Sequence, residues 1–280
     1  MTEKIGFNTM GRVLSGAELV GFIKERQARQ VRNLRQEHGV TPRLCIIQSV
    51  DASPVIDTYV RVKRRYADDI LITVDIVKRD AHMMYDAIAE ANADKTVHGV
   101  IVQLPIDQPE LTDDIVAGIA SAKDVDGLGP SADFVSATAE AIDWLVAGYN
   151  LQMAGKQIAI IGRGRLVGGP LERLWMGRGL SVRSFDRDDF DASYVRTSDV
   201  IVTATGAPGS LTNDLIKANA TVIDAGTASE AGVVVGDIDS SVRERTDITV
   251  TPEKGGVGPL TVAVMFDHVI QSALRSVGKL

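Results

Sequence analysis

Apolar residues near the start of the chain recur at helical spacing, with Leu19, Val20, Ile23, Val31 and Leu34 on one stripe. The stripe opens at Ser15-Gly16-Ala17-Glu18, where a serine and a glutamate three apart can each satisfy the other's free backbone N–H, and it closes near Gly39. The period then shortens. A strand is predicted over 43–49, a helix over about 55–69, a strand over about 71–77 and a helix over about 83–92. The apolar run Val97-His98-Gly99-Val100-Ile101-Val102-Gln103 reads as the next strand, and a helix over 134–147 bridges two halves. A second series follows, with strands over 157–161, 181–185, 200–204 and 221–224 and helices over 166–177, 192–197, 211–217 and about 260–277. Strands alternating with helices predict parallel sheets covered on both faces.

Length and composition sharpen this picture. A chain of 280 residues can hold two modest domains, and 45% apolar with 24% charged residues is ordinary globular composition. No apolar run approaches the ~20 residues that span a bilayer. The first residues lack an apolar core and a small-residue cleavage pattern, so no membrane association and a cytoplasmic location are expected. The single cysteine, Cys45, sits in an apolar run and reads as a buried strand thiol. Four scattered histidines without a Cys/His cluster offer no metal site. A net charge of −7 argues against a nucleic-acid partner, which needs a basic face.

The strongest chemical signal is Ile160-Ile161-Gly162-Arg163-Gly164-Arg165-Leu166-Val167-Gly168, which leaves a buried strand and enters a helix. The first glycine permits the tight turn, the second lets a pyrophosphate approach the backbone, and the third allows close helix–strand packing. Asp186 lies about 20 residues further on, at the end of the next strand, where a carboxylate meets the ribose of a dinucleotide. That carboxylate favours NAD, whereas Arg163 and Arg187 can pair with the 2′-phosphate of NADP; on balance NAD is expected. Thr205-Gly206 and Gly226-Thr227 follow two later strands on the same edge and complete the expected cofactor site.

In the first half, Tyr59 and Lys63 are four apart and share a helix face. Gln103-Leu104-Pro105 ends an apolar strand with a polar amide, and Lys123-Asp124-Val125-Asp126-Gly127 puts two carboxylates in a loop. These segments, together with Gly162-Arg163-Gly164…Val167-Gly168-x-Pro170 and Gly255-Gly256-Val257-Gly258-Pro259-Leu260-Thr261, resemble the methylenetetrahydrofolate dehydrogenase/cyclohydrolase family in order and spacing over nearly the whole chain. The resemblance implies a folate-binding α/β domain over 1–147 plus 262–280, with the last helix returning to it, and a Rossmann-type domain over 148–261. It also implies a homodimer that binds tetrahydrofolate derivatives between its domains. Lys63 would be the catalytic lysine, assisted by Tyr59 and Gln103, and Asp126 the carboxylate that grips the pterin. Gly258, Pro259 and Thr261 would belong to a loop closing over substrate.

The chain departs from the family pattern in three places. It lacks a Pro-Cys-Thr-Pro segment before the bridging helix, carries Ile56 where the family has a small serine, and reads Thr251-Pro252-Glu253-Lys254-Gly255-Gly256 before the last loop. Arg61, Arg64 and Arg65 flank Lys63 and leave two readings open, a solvated helix face or an attractor for the glutamate tail of a folate. Rival functions are another two-domain dehydrogenase, of the shikimate dehydrogenase kind, and a nucleotide-binding regulator without catalysis.

Overall fold

The computed structural model describes residues 11–230 and 233–279. The chain forms two compact units. The N-terminal unit holds Gly16–Trp144 and the chain from Gly258 onward; the C-terminal unit holds Leu145–Glu230, Val234–Val257 and the described residues 11–15.

The N-terminal unit is built from α1 (Gly16–His38), β1 (Arg43–Ser49), α2 (Pro54–Ile70), β2 (Thr73–Arg79), α3 (Met84–Ala93), β3 (Gly99–Val102), α4 (Thr112–Ala117) and most of α5 (Ala137–Gly148). Its three strands pair in parallel in the order β2-β1-β3, which requires a crossover connection between successive strands. Side chains alternate along β1 and β3, so Cys45, Ile47, Val100 and Val102 join Met84, Ile88, Ile115 and Val116 of α3 and α4 in one apolar cluster. The last helix, α8 (Val257–Ser276), returns to this unit and packs with α1 and α2. Gln27, fully buried in the middle of the α1 stripe, ties the three together. Its Nε2 donates to the Ala263 carbonyl of α8 at 2.8 Å, and its Oε1 accepts from the Tyr66 hydroxyl of α2 at 2.8 Å. The Tyr66 ring stacks on Phe266 of α8, 5.3 Å between centroids.

The C-terminal unit contains β4 (Gln157–Ile161), α6 (Gly168–Gly177), β5 (Ser181–Phe185), α7 (Ala192–Thr197), β6 (Val200–Thr203), β7 (Thr221–Asp224) and β10 (Thr249–Val250). Its five strands are parallel in the order β10-β7-β6-β4-β5. Strand order reverses between β4 and β6, so the loops after these two strands border the switch-point crevice in which open α/β sheets bind ligands. A two-stranded ribbon, β8 (Ala228–Glu230) with β9 (Val233–Val235), lies between β7 and β10 in the chain.

Four expectations are revised. The helix over 211–217 is only a single 3-10 turn, Asn213–Leu215, because Leu211, Leu215 and Ile216 mimic a helical stripe while serving as separate anchors in the core. The last helix starts at Val257, so Gly258, Pro259 and Thr261 form its opening turns rather than a loop. Residues 11–14 do not join the N-terminal unit. Gly11 N–H donates to Thr246, Leu14 N–H to Val250, and Val13 bridges Val250 at the β10 edge. Finally, α8 is long and apolar enough to cross a membrane, at mean hydropathy 1.3, yet 61% of that stretch is buried within the fold, as in the core helix of a globular protein.

Candidate active site

Lys63 reaches its position because Ser53 caps α2 and Pro54 opens it. Ile56, Val60, Ala67 and Ile70 anchor one face of the helix in the core. Ile56, which stands where a serine was expected, is therefore a core residue, 6% exposed. Tyr59 and Lys63 lie on an adjoining face. Lys63 Nζ donates to Gln103 Oε1 at 2.6 Å, and Gln103 Nε2 is held by the Leu104 carbonyl at 3.0 Å. Gln103 is buried at the carboxyl end of β3, beside the point where the N-terminal sheet changes strand order. Burial holds the Lys63 amine below the ordinary lysine range, and the charge of Asp126 opposes that shift. Burial also raises the Tyr59 phenol, which keeps it protonated at neutral pH.

The Lys123–Gly127 segment divides its labour. Lys123 Nζ donates to the carbonyls of Ala91, Asn92 and Asp94 at 2.7–2.9 Å and so caps the end of α3. The Asp124 carboxylate accepts the Gly127 and Gly129 N–H groups at 3.0 and 2.7 Å and pins the loop. Burial raises the Asp124 carboxyl. Asp126 forms no side-chain ion pair or hydrogen bond among the described residues. Its backbone is fixed by the Ala137 N–H at 3.0 Å, while the preceding Val125 carbonyl pairs with His268 Nδ1 at 2.8 Å. His268 is itself held by Glu140 at 3.0 Å and by stacking on Phe134. The His268 supports were invisible to the sequence reading, because they join residues more than a hundred positions apart. Cys45 is buried and its thiol is pushed up to about 11, which makes it unreactive at neutral pH.

In the C-terminal unit the glycine loop has the form a dinucleotide requires. Gly162 takes φ +97°, where a side chain would also meet the Ala204 carbonyl oxygen at 2.5 Å. A Cβ at Gly168 would overlap the Gly162 carbonyl. Above Gly164, by contrast, a Cβ would meet nothing within 4 Å, which leaves room for a pyrophosphate over the backbone. Val167 leads directly into α6, and Arg165 lies in the loop. Asp186 stands at the end of β5 and accepts the Arg163 N–H at 2.9 Å. The Arg163 guanidinium is engaged by Asp189 and by Ser184, at 2.9 Å to the hydroxyl and 2.7 Å to the carbonyl. Arg187 is exposed and forms no ion pair among the described residues. Asp237 Oδ2 accepts the Thr205 N–H at 2.6 Å and Thr203 Oγ1 at 2.8 Å, fixing the Thr205-Gly206 loop. Asp224 holds Gly226 at 3.1 Å, next to the exposed Thr227.

Residues 14–126 match the catalytic domain of tetrahydrofolate dehydrogenase/cyclohydrolase, and residues 136–277 match its NAD(P)-binding domain. The chain belongs to the tetrahydrofolate dehydrogenase/cyclohydrolase family. It is 33% identical over 284 residues to the bifunctional protein FolD of Lactobacillus acidophilus, covering 96% of this chain and 100% of that one. Among solved structures it resembles the FolD methylenetetrahydrofolate dehydrogenase/cyclohydrolase of Campylobacter jejuni, at 29% identity and TM-score 0.88, over 94% of this chain and 98% of that one. A FolD of Trypanosoma brucei, solved with NADP and an inhibitor, matches at 27% identity and TM-score 0.87, over 96% and 99%. Membership in this family accounts for both units and for the return of α8 to the first. The described residues contain no group of three or more His, Cys, Asp or Glu side chains placed to hold a metal.

Proposed function

We propose that this chain oxidises 5,10-methylenetetrahydrofolate to 5,10-methenyltetrahydrofolate with a nicotinamide dinucleotide, then hydrolyses the product to 10-formyltetrahydrofolate. The observation that carries this reading is the part-buried Lys63–Gln103 hydrogen bond with the Asp126 charge acting on the same amine, in a chain of this family. The bound nicotinamide supplies the hydride acceptor.

Loss of hydride from the one-carbon bridge leaves an amidinium cation in the substrate. An ammonium facing that cation would repel it, and a neutral amine does not. Burial raises the neutral share of Lys63, which fits it for the second step. As water adds to the methenyl carbon, Lys63 Nζ takes its proton. A proton reaches the ring nitrogen as the carbon–nitrogen bond breaks to give the formyl group. Gln103 Oε1 holds one Nζ–H and so directs the lone pair, and Tyr59, kept protonated, offers a hydroxyl donor beside it. Asp126 accepts from the amino and ring N–H donors of the pterin at two points. Gly258, Pro259 and Thr261 present small side chains to the substrate from the opening turns of α8.

The pyrophosphate is assigned to Gly162, Gly164, Arg165, Val167 and Gly168, and the ribose to Asp186. Thr205, Gly206, Gly226 and Thr227 line the remainder of the cofactor. NAD is the preferred form. Asp186 repels a 2′-phosphate, and Arg163, spent on Asp189 and Ser184, is not available to receive one. Arg187 is the cation left to favour NADP. Homodimerisation goes with this reading and is checked by sedimentation.

The deciding assay follows reduced-cofactor absorbance with methylenetetrahydrofolate and NAD or NADP, on the parent and on Lys63→Met. Turnover with higher kcat/KM for NAD is expected, as is loss of methenyl hydrolysis in the variant. Hydrolysis by Lys63→Met at the parent rate overturns the role of the lysine. Tight cofactor binding without turnover by the parent returns the regulator reading.

A further inference from the structure

The carboxylate assigned to the pterin hangs from a main chain that is gripped on both sides. The preceding Val125 is fully buried, seated where Gly99 of β3 leaves room: a Cβ on Gly99 would stand 2.9 Å from both Val125 Cγ1 and Val269 Cγ2. That seat fixes where the chain runs. It leaves the Val125–Asp126 peptide plane free to turn, since the soft torsions lie at the two flanking Cα atoms. Two hydrogen bonds remove the freedom. The Ala137 N–H donates to the Asp126 carbonyl at 3.0 Å and so fixes ψ of Asp126. His268 Nδ1 meets the Val125 carbonyl at 2.8 Å and so fixes φ. Together these torsions direct the Asp126 Cα–Cβ bond.

The His268 end suits that task. A backbone carbonyl can only accept, so Nδ1 carries the hydrogen. Nε2 lies 3.0 Å from Glu140 Oε2, and Glu140 Oε1 accepts the Trp144 indole N–H at 3.2 Å. The buried ring also stacks on Phe134, with centroids 4.4 Å apart and planes 17° from parallel. An imidazole held at both nitrogens and on one face cannot turn Nδ1 away.

From this geometry we infer that His268 is a positioning residue for folate binding, an inference that rests on the pterin role given to Asp126 above. Its Nδ1–H aligns the Val125–Asp126 peptide so that the Asp126 carboxylate meets the pterin at two points. Two-point acceptance is sensitive to direction, because a displacement of about 1 Å breaks one of the two bonds. Without the donor, the buried Val125 carbonyl would lack a partner, and the peptide would turn toward another and carry Asp126 with it.

Amide side chains separate the two ring nitrogens. Asparagine carries its N–H group on Cγ, as Nδ1 is carried, and can keep the Val125 bond while losing Glu140. Glutamine carries it one atom further out, like Nε2, and can keep Glu140 while losing Val125. The test compares His268→Asn, His268→Gln and Asp126→Asn with the parent. It reads KM and kcat for methylenetetrahydrofolate, calorimetric binding of tetrahydrofolate and of NAD, and urea midpoints. His268→Gln should raise the folate KM and the tetrahydrofolate Kd by about fivefold, with kcat and the Kd for NAD within about twofold of the parent. His268→Asn should keep KM and Kd for folate within about twofold, although it loses Glu140 and unfolds at lower urea. Folate binding that falls in step with the urea midpoint, or that stays at the parent level in His268→Gln, overturns the positioning role.

Asp126→Asn separates the two readings. If it weakens folate binding and His268→Gln does not, only the positioning role fails. If it binds folate as the parent does, the pterin role of Asp126 fails and the positioning role with it. The parent alone supplies a further check should a substitution at 268 prevent folding. In NMR spectra of 15N-histidine protein, with the ring assigned by its Overhauser contacts to Phe134, Nδ1 of His268 should carry a slowly exchanging proton. An unprotonated Nδ1 overturns the inference.

Discussion

Burial and a neighbouring carboxylate act on the Lys63 amine in opposite senses, and burial is the larger influence. The pH dependence of methenyl hydrolysis follows from that balance. If neutral Lys63 accepts the water proton, the rate rises with pH through a group titrating below the ordinary lysine range. Asp126 holds that group higher than burial alone would. Asp126→Asn therefore removes an influence that raises the Lys63 pKa, and the rising limb of kcat should move to lower pH. The same variant loses a charged two-point acceptor, so KM for folate should increase by about tenfold or more. A pH–rate profile of kcat, measured apart from KM, separates the two effects. A limb that stays in place or moves upward would show that the two groups are not coupled. Nothing in the local sequence around Lys63 announced this balance. The four-residue spacing to Tyr59 was legible, but the partner amide is 40 positions away and the opposing charge is further still, so only the family resemblance joined them.

At the level of elements, the glycine loop and α6 succeed because two main chains touch where a side chain would otherwise stand. Gly168→Ala places a methyl group on the Gly162 carbonyl, an overlap with backbone that no rotamer relieves. A loss of at least about 1–3 kcal/mol of stability is expected, with weakened NAD binding, read by urea unfolding and by cofactor titration. Gln27 plays the corresponding part for the helices. Gln27→Leu fits the apolar stripe of α1 better than the native residue, yet it strips the buried Tyr66 hydroxyl of its acceptor. The expected cost is about 1–3 kcal/mol in a urea midpoint, with Lys63 chemistry unaffected. The period of apolar residues was enough to place most strands and helices, since β-α-β units repeat one pattern. It failed where the pattern was too short or was shared between states. Leu211, Leu215 and Ile216 have helical spacing and form one 3-10 turn, and β10 is two residues long. The opening turn of α8 looked like a loop because glycine and proline dominate it.

Across the whole molecule, each unit has a core of its own. One gathers Cys45, Ile47, Met84 and Ile88, the other Ile161, Phe185, Val195 and Ile201. Separate cores permit separate unfolding, and two probes are already in the chain. Trp175 lies in α6 of the C-terminal unit, whereas Trp144 belongs to the N-terminal unit. Helix content is divided just as unevenly, with α1, α2 and α8 at 23, 17 and 20 residues in the N-terminal unit against 10 for α6 and 6 for α7 in the other. In a Trp144→Phe variant, indole fluorescence then follows the dinucleotide-binding unit, while helical circular dichroism follows chiefly the folate unit. A ligand that binds only the native state stabilises it by about 2.7 kcal/mol at a hundred times its Kd. NAD at that level should therefore raise the fluorescence midpoint by several degrees and leave most of the dichroism transition where it was. If both signals shift together by the same amount, the two cores unfold as one cooperative body and the cofactor stabilises the folate unit as fully as its own.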